Sequence, residues 1–137
     1  MTPSRIDHIG IAVTNLDEAV RFWESVMGLQ CYAVETVEDQ KVRTAFIRCG
    51  EVKIELLEPT CSDSPIASFI ARNGGKGGVH HIAFAVADTD EALSEAKALD
   101  IRLIDEHSRL GAEGLNIGFL HPKSTLGVLT ELCCKKS

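Results

Sequence analysis

Four residues of this 137-residue chain combine side-chain types and positions suited to holding a divalent metal ion: His8, Glu55, His81 and Glu131. The histidines come from an internal repeat, the first feature to seek in any chain. Residues 6–25, IDHIGIAVTNLDEAVRFWES, align without a gap with residues 79–98, VHHIAFAVADTDEALSEAKA, and seven of the twenty positions are identical. His8 and His81 therefore occupy one equivalent position, 73 residues apart. The glutamates repeat as well, in Ile54-Glu55-Leu56 and Thr130-Glu131-Leu132, at an offset of 76 that implies a small insertion between. Two imidazoles and two carboxylates suit a borderline ion such as Co, Mn, Ni or Zn. In an octahedral site, two positions would remain for a substrate that chelates through two oxygens.

The faces of the strands carrying these residues support this chemistry. Side chains alternate across a strand. His8 shares its face with Gly10 and Ala12, and His81 shares its face with Ala83 and Ala85. The bulky residues Ile9, Ile11, Ile82, Phe84 and Val86 take the opposite faces, toward a core or helix. A lone histidine on an apolar strand is ordinarily a satisfied core residue. Two in register, each beside small neighbours, leave room for an added group. The same alternation separates His81, the ligand candidate, from His80, which lies on the Phe84 face and is expected to be packed or at an interface. A glutamate in an apolar strand can point to solvent. Glu55 and Glu131 recur at corresponding positions, and buried carboxylates require compensation of the kind a metal supplies.

The repeat defines two modules, at about 5–60 and 79–134, joined by residues 61–78. In the first, residues 5–13 are β-branched and alternating and read as a strand. Asn15 caps a helix with Glu18 in the capping-box position, and Gly28 ends the apolar run. Strands are expected at about 29–37, 41–49 and 51–58, with a tight turn at Cys49-Gly50-Glu51. Ser64-Pro65 opens a short helix with Ile66, Phe69 and Ile70 as its apolar face. The stretch Asn73-Gly74-Gly75-Lys76-Gly77-Gly78 is a linker. It precedes a strand rather than a helix, which argues against a phosphate-binding loop. The second module repeats the order: strand 79–86, a helix at 89–99 capped by Asp88 with Glu91, and strands at about 101–106, 115–120 and 126–133. The glycine-punctuated loop 108–114 is expected to be mobile, in the place of a lid. The fold class is α+β, with two βαβββ modules in tandem.

The length suits a single compact domain. An apolar share of 45% and a charged share of 25% are ordinary for a globular protein. The net charge of −6 argues against general nucleic-acid binding. An anionic ligand needs only a local basic patch, for which Arg72, Lys76, Arg109 and Lys123 are candidates. The five cysteines, at 31, 49, 61, 133 and 134, form no CxxC pair and read as reduced thiols in a cytoplasmic protein. The polar start, Met1–Asp7, does not resemble a signal peptide, and no apolar run approaches a membrane span.

The segments DHIGIAV (7–13), IELLEP (54–59), DSPIASFI (63–70), GGVHHIAFAV (77–86), RLIDE (102–106), RLGAEG (109–114) and FLHPKSTLGVLTEL (119–132) span nearly the whole chain. Through them it resembles the vicinal-oxygen-chelate superfamily, whose paired βαβββ modules form one cup-shaped mixed β-sheet with flanking helices. HIGIAV carries only that general likeness. IELLEP with DSPIA, HHIAF and FLHPKS is more specific, and is similar to the methylmalonyl-CoA epimerase family. The resemblance implies a ligand set of His8, Glu55, His81 and Glu131, one divalent ion per chain, an acyl-CoA substrate and a homodimer. It implies α-proton abstraction and return through a metal-stabilised enolate, with Glu131 as one acid/base group. It also implies that Lys123 and Ser124 of HPKS meet the substrate carboxylate or the CoA phosphates. Some family members carry a further glutamate at a position that falls near Thr44, and residues 41–47 here contain no carboxylate.

Alternatives share the same cup. A glyoxalase-type isomerase of a thiol–aldehyde adduct uses a similar ligand set. An extradiol-type dioxygenase typically uses two histidines and one carboxylate, one carboxylate fewer than this chain offers. A metal-free small-molecule-binding module would lack the ligands.

Overall fold

A computed structural model describes residues 1–136. The chain divides into two compact units: His8–His80, and Met1–Asp7 with the chain from His81 onward.

The first unit follows the expected order. It contains β1 (Arg5–Ala12, its first three residues assigned to the other unit), α1 (Leu16–Ser25), β2 (Cys31–Val37), β3 (Val42–Cys49), β4 (Val52–Pro59) and α2 (Pro65–Arg72). β2, β3 and β4 are successive antiparallel neighbours, and β4 pairs with β1 in parallel. Asn15 accepts the Glu18 N–H at 3.0 Å, the bond the capping box requires. The helix closes at Ser25, three residues short of Gly28, whose φ is +68°. Leu16 of α1 packs with Ala45, Ile47 and Leu56, and with Ile11, Val20 and Trp23. α1 thus covers the sheet face opposite His8. On the histidine face, Ile66, Phe69 and Ile70 of α2 pack on Ala12, Val42 and Leu57. α2 closes one end of that face and leaves His8, Gly10 and Glu55 beyond it.

The glycine linker has specific backbone reasons for its composition. Gly74 and Gly75 take φ of +70° and +80°, where a side chain is strained. At Gly77 a Cβ would lie 2.2 Å from the Ala12 carbonyl oxygen. The segment then runs directly into a strand, so no helix N-terminus is present to hold a phosphate.

The second unit contains β5 (Gly78–Ala85, from His81 on), α3 (Thr89–Ala98), β6 (Arg109–Leu110), β7 (Leu115–Leu120) and β8 (Thr130–Lys135). β5 pairs in parallel with β8, and β8, β7 and β6 follow antiparallel. Asp88 accepts the Glu91 N–H at 3.0 Å. Ala92, Leu93 and Ala96 of α3 pack on Leu120, Leu132, Phe84 and Val86. The other face gathers Ala83, Ile117, Phe119 and Cys133. Both modules are therefore βαβββ.

Two strand expectations need correction. Residues 101–106 form no continuous strand, and only Leu103 bridges, to Leu120. Asp105 ends the pairing there, because its carboxylate accepts the Phe119 N–H at 2.9 Å and competes with the backbone ladder. The third strand is instead the two-residue β6, inside the glycine-punctuated loop. The last strand begins at Thr130 rather than 126, since Leu126 and Gly127 have φ of +61° and +92°. The loop after residue 107 is anchored at its start: Ser108 donates to Asp90 through N–H at 2.7 Å and Oγ at 2.8 Å. None of the five cysteines forms a disulfide. Among the described residues, no helix is long and apolar enough to cross a membrane.

Gly77→Ala is expected to destabilise the protein by on the order of 2 kcal/mol, since the Cβ meets backbone rather than a movable side chain. Gly78→Ala, whose Cβ would meet Asn73 at an ordinary 3.5 Å, should cost much less. Urea denaturation of the two variants checks the contrast.

Candidate metal centre

In the first unit, parallel pairing of β1 with β4 sets Gly10 opposite Glu55 and His8 opposite Lys53. On the other side of β4, Phe46 is opposite Glu55. His8 and Glu55 thus lie on one face of neighbouring strands, with His8 Nδ1 3.2 Å from Glu55 Oε2. They are 3% and 4% exposed, so this is a buried pair, where electrostatic partners count for most.

The second unit builds the same arrangement. Ala83 of β5 and Phe119 of β7 lie opposite Glu131 of β8 on its two sides. His81 Nε2 is 3.3 Å from Glu131 Oε1, and both residues are buried. Gly10 and Ala83, and Phe46 and Phe119, stand 73 residues apart like the histidines. From phenylalanine to glutamate the separation is nine residues in one module and twelve in the other. The insertion implied by the offsets therefore lies in the turn between β7 and β8, which holds HPKS.

Each pair joins a neutral-capable nitrogen donor to a carboxylate oxygen. That is the donor set for a borderline divalent ion, and such an ion would offset the buried negative charge. The residues present fit a metal of this class.

His80 behaves differently, as the alternation predicts. Its ring meets Phe69 edge-on with centroids 5.2 Å apart. Burial, and secondarily the Arg72 charge, push its pKa down to about 4. Lys123 and Ser124 sit in a 3-10 turn, Pro122–Ser124. Lys123 is exposed, while Ser124 Oγ accepts the Arg102 N–H at 2.9 Å. The hydroxyl proton of Ser124 is still available to donate.

Other side chains also stand beside these pairs. Phe119 packs edge-on against His81, centroids 5.5 Å apart, and the Arg109 guanidinium lies over the Phe119 ring at 5.6 Å. Arg109 Nε is also 3.1 Å from Asp105 Oδ1. Lys53 is buried two residues before Glu55, on the same face. Alternation in KIEL contained that signal. Thr44 is 1% exposed, its Oγ1 has no hydrogen-bond partner, and Glu35 of β2 lies directly opposite it.

These features match a known family. The sequence model of the Glyoxalase/Bleomycin resistance protein/Dioxygenase superfamily fits residues 7–119, and the chain belongs to that superfamily. Within it, the chain stands with methylmalonyl-CoA epimerases, which are isomerases. It is 38% identical over 128 residues to the mitochondrial methylmalonyl-CoA epimerase of Homo sapiens, covering 93% of this chain and 72% of that protein. It is 36% identical over 129 residues to the ethylmalonyl-CoA/methylmalonyl-CoA epimerase of Cereibacter sphaeroides, covering 93% and 96%. A Streptomyces coelicolor methylmalonyl-CoA epimerase variant, solved in complex with 2-nitronate-propionyl-CoA, superimposes with a TM-score of 0.93 at 39% identity, covering 99% of this chain and 97% of that one.

A histidine-resolved NMR titration should find His80 neutral down to about pH 4. Phe69→Ala, by admitting water, should raise that value toward the ordinary 6.5.

Proposed function

We propose that this chain is a metal-dependent epimerase that interconverts the 2R and 2S forms of methylmalonyl-CoA. The observation that carries the proposal is the buried His–Glu pair, found at equivalent strand positions in both modules of a chain whose relatives include methylmalonyl-CoA epimerases. His8, Glu55, His81 and Glu131 would hold one divalent ion, Co, Mn, Ni or Zn. Residues 1–137 would form a single domain of the family and act as a homodimer.

The substrate carbon to be inverted lies between a thioester and a carboxylate, and both acidify its proton. When bound, the ion would supply Lewis acidity that stabilises negative charge developing on the acyl oxygens. Glu131 takes the proton from the carbon, and the bonding pair moves into the thioester carbonyl as an enolate. Return of a proton to the opposite side of the carbon completes inversion, and return to the same side regenerates the starting form. Inversion requires a proton source on that opposite side. Thr44 carries no carboxylate there, so Glu55, a water or a residue of loop 108–114 must provide it. Lys123 and the Ser124 hydroxyl would meet the substrate carboxylate or the CoA phosphates from the turn before β8.

Metal analysis after mild dialysis should find one divalent ion per chain. His81→Ala should lose it and His80→Ala should keep it; the reverse would break the assignment of strand faces. In deuterium oxide, the loaded enzyme should exchange the α-proton of methylmalonyl-CoA, and Glu131→Gln should slow exchange by about 100-fold or more. Metal present without exchange, but with turnover of a hemithioacetal, would favour a glyoxalase-type isomerase. No metal bound even after added Co or Zn would favour a binding module.

A further inference from the structure

Arg109 lies in a loop, yet both sides of it are anchored. The preceding residue, Ser108, donates to Asp90 through its N–H at 2.7 Å and its Oγ at 2.8 Å. Two residues on, Gly111 donates its N–H to the Leu115 carbonyl at 2.9 Å, and a Cβ there would lie 2.7 Å from Ile117. Between these anchors, β6 sets Arg109 directly opposite Ile117 of β7, on the face that Ile117 shares with Phe119. On its other side, β7 sets Phe119 opposite Glu131 of β8. Strand register therefore puts Arg109 on the face of the His81–Glu131 pair.

The side chain is oriented as well as placed. Its guanidinium lies over the Phe119 ring at 5.6 Å, and that ring packs edge-on against His81. Arg109 Nε donates to Asp105 Oδ1 at 3.1 Å, while Asp105 Oδ2 accepts the Phe119 N–H at 2.9 Å. One carboxylate thus fixes both the guanidinium and the strand that carries its ring partner. A guanidinium has five N–H donors, and Nε supplies one of them. Among the described residues, the two Nη groups make no hydrogen bond or ion pair. Arg109 is exposed, so a ligand can reach them. Two N–H groups on a planar fork match the two oxygens of a carboxylate.

We propose that Arg109 is the receptor for the free carboxylate of the acyl group, and that it makes the enzyme prefer carboxylated over uncharged acyl thioesters. The inference rests on the epimerase reading. The CoA phosphates lie a full pantetheine arm away from the reacting carbon. A cation over the ring that touches His81 and stands opposite Glu131 is placed for the acyl end instead, which leaves Lys123 and Ser124 to the phosphates. With its carboxylate held by a fork that Asp105 has already oriented, the acyl group keeps one orientation while its α-proton is exchanged.

The test compares wild type with Arg109→Gln, both loaded with Co and checked for metal content, by calorimetric titration with methylmalonyl-CoA and with propionyl-CoA, which lacks only the carboxylate. The expected result is affinity for methylmalonyl-CoA lowered by about 10- to 100-fold, the range for losing a charge-assisted contact. Affinity for propionyl-CoA should change by about twofold or less, with metal content unchanged. Equal loss for both ligands would assign Arg109 to the CoA phosphates and overturn the inference. Loss of metal from the variant would reduce Arg109 to a support for Phe119 and His81, and would overturn it too, as would no loss for either ligand. If Arg109→Gln does not fold, Arg109→Met, which also lacks the charge, must give the same split. Wild type that exchanges the α-proton but shows no split on mutation refutes the role of Arg109 alone. Wild type without exchange refutes the epimerase reading, and this inference falls with it.

Discussion

Parallel pairing of the first strand of each module with its last is the constraint on which the site depends. His8 and Glu55 are 47 residues apart, and His81 and Glu131 are 50 apart. Nothing local brings them together. They meet because β1 lies against β4 and β5 against β8, in a register that places Gly10 and Ala83 beside the carboxylates. A slip of one residue would turn each glutamate to the opposite face. The helices serve this register, since parallel neighbours need a long connection, and α1 and α3 pack on the faces away from the histidines.

The two modules then diverge around a common plan. Both set a phenylalanine across from the glutamate and a small residue on its other side. α2 closes one end of the histidine face in the first unit. In the second, Phe119 packs on His81 and carries Arg109 over its outer surface. The first unit adds Lys53, buried two residues before Glu55 on the same face. Duplication accounts for the symmetric His–Glu pairs.

Much of this was legible in the chain. The repeat gave the equivalence of His8 and His81, and alternation distinguished His81 from His80, whose depressed pKa and contact with Phe69 mark a packed ring. Both helix caps were readable because they depend on residues three apart. Pairing partners were not. Phe46 and Phe119 flank the glutamates only through strand register, which a single chain does not spell out. The strand expected at 101–106 has the right composition and fails because one side chain, Asp105, takes a backbone proton that a ladder would have used. Ser124 reads as a ligand-binding hydroxyl in HPKS. In the fold it first secures Arg102, and only its remaining proton is available to a substrate.

Asp105 has a further consequence, for solubility. β6 is the outer strand of its row and only two residues long, and the chain before it is bent away from pairing. With the Phe119 amide held by a carboxylate, the outer flank of β7 lacks a donor that an incoming strand would need. Exposed strand edges invite other chains to add on and aggregate, and an inward-facing charge is one of the ways natural sheets prevent this. The side chain that cost the module a full third strand also protects that end of its sheet from becoming a template.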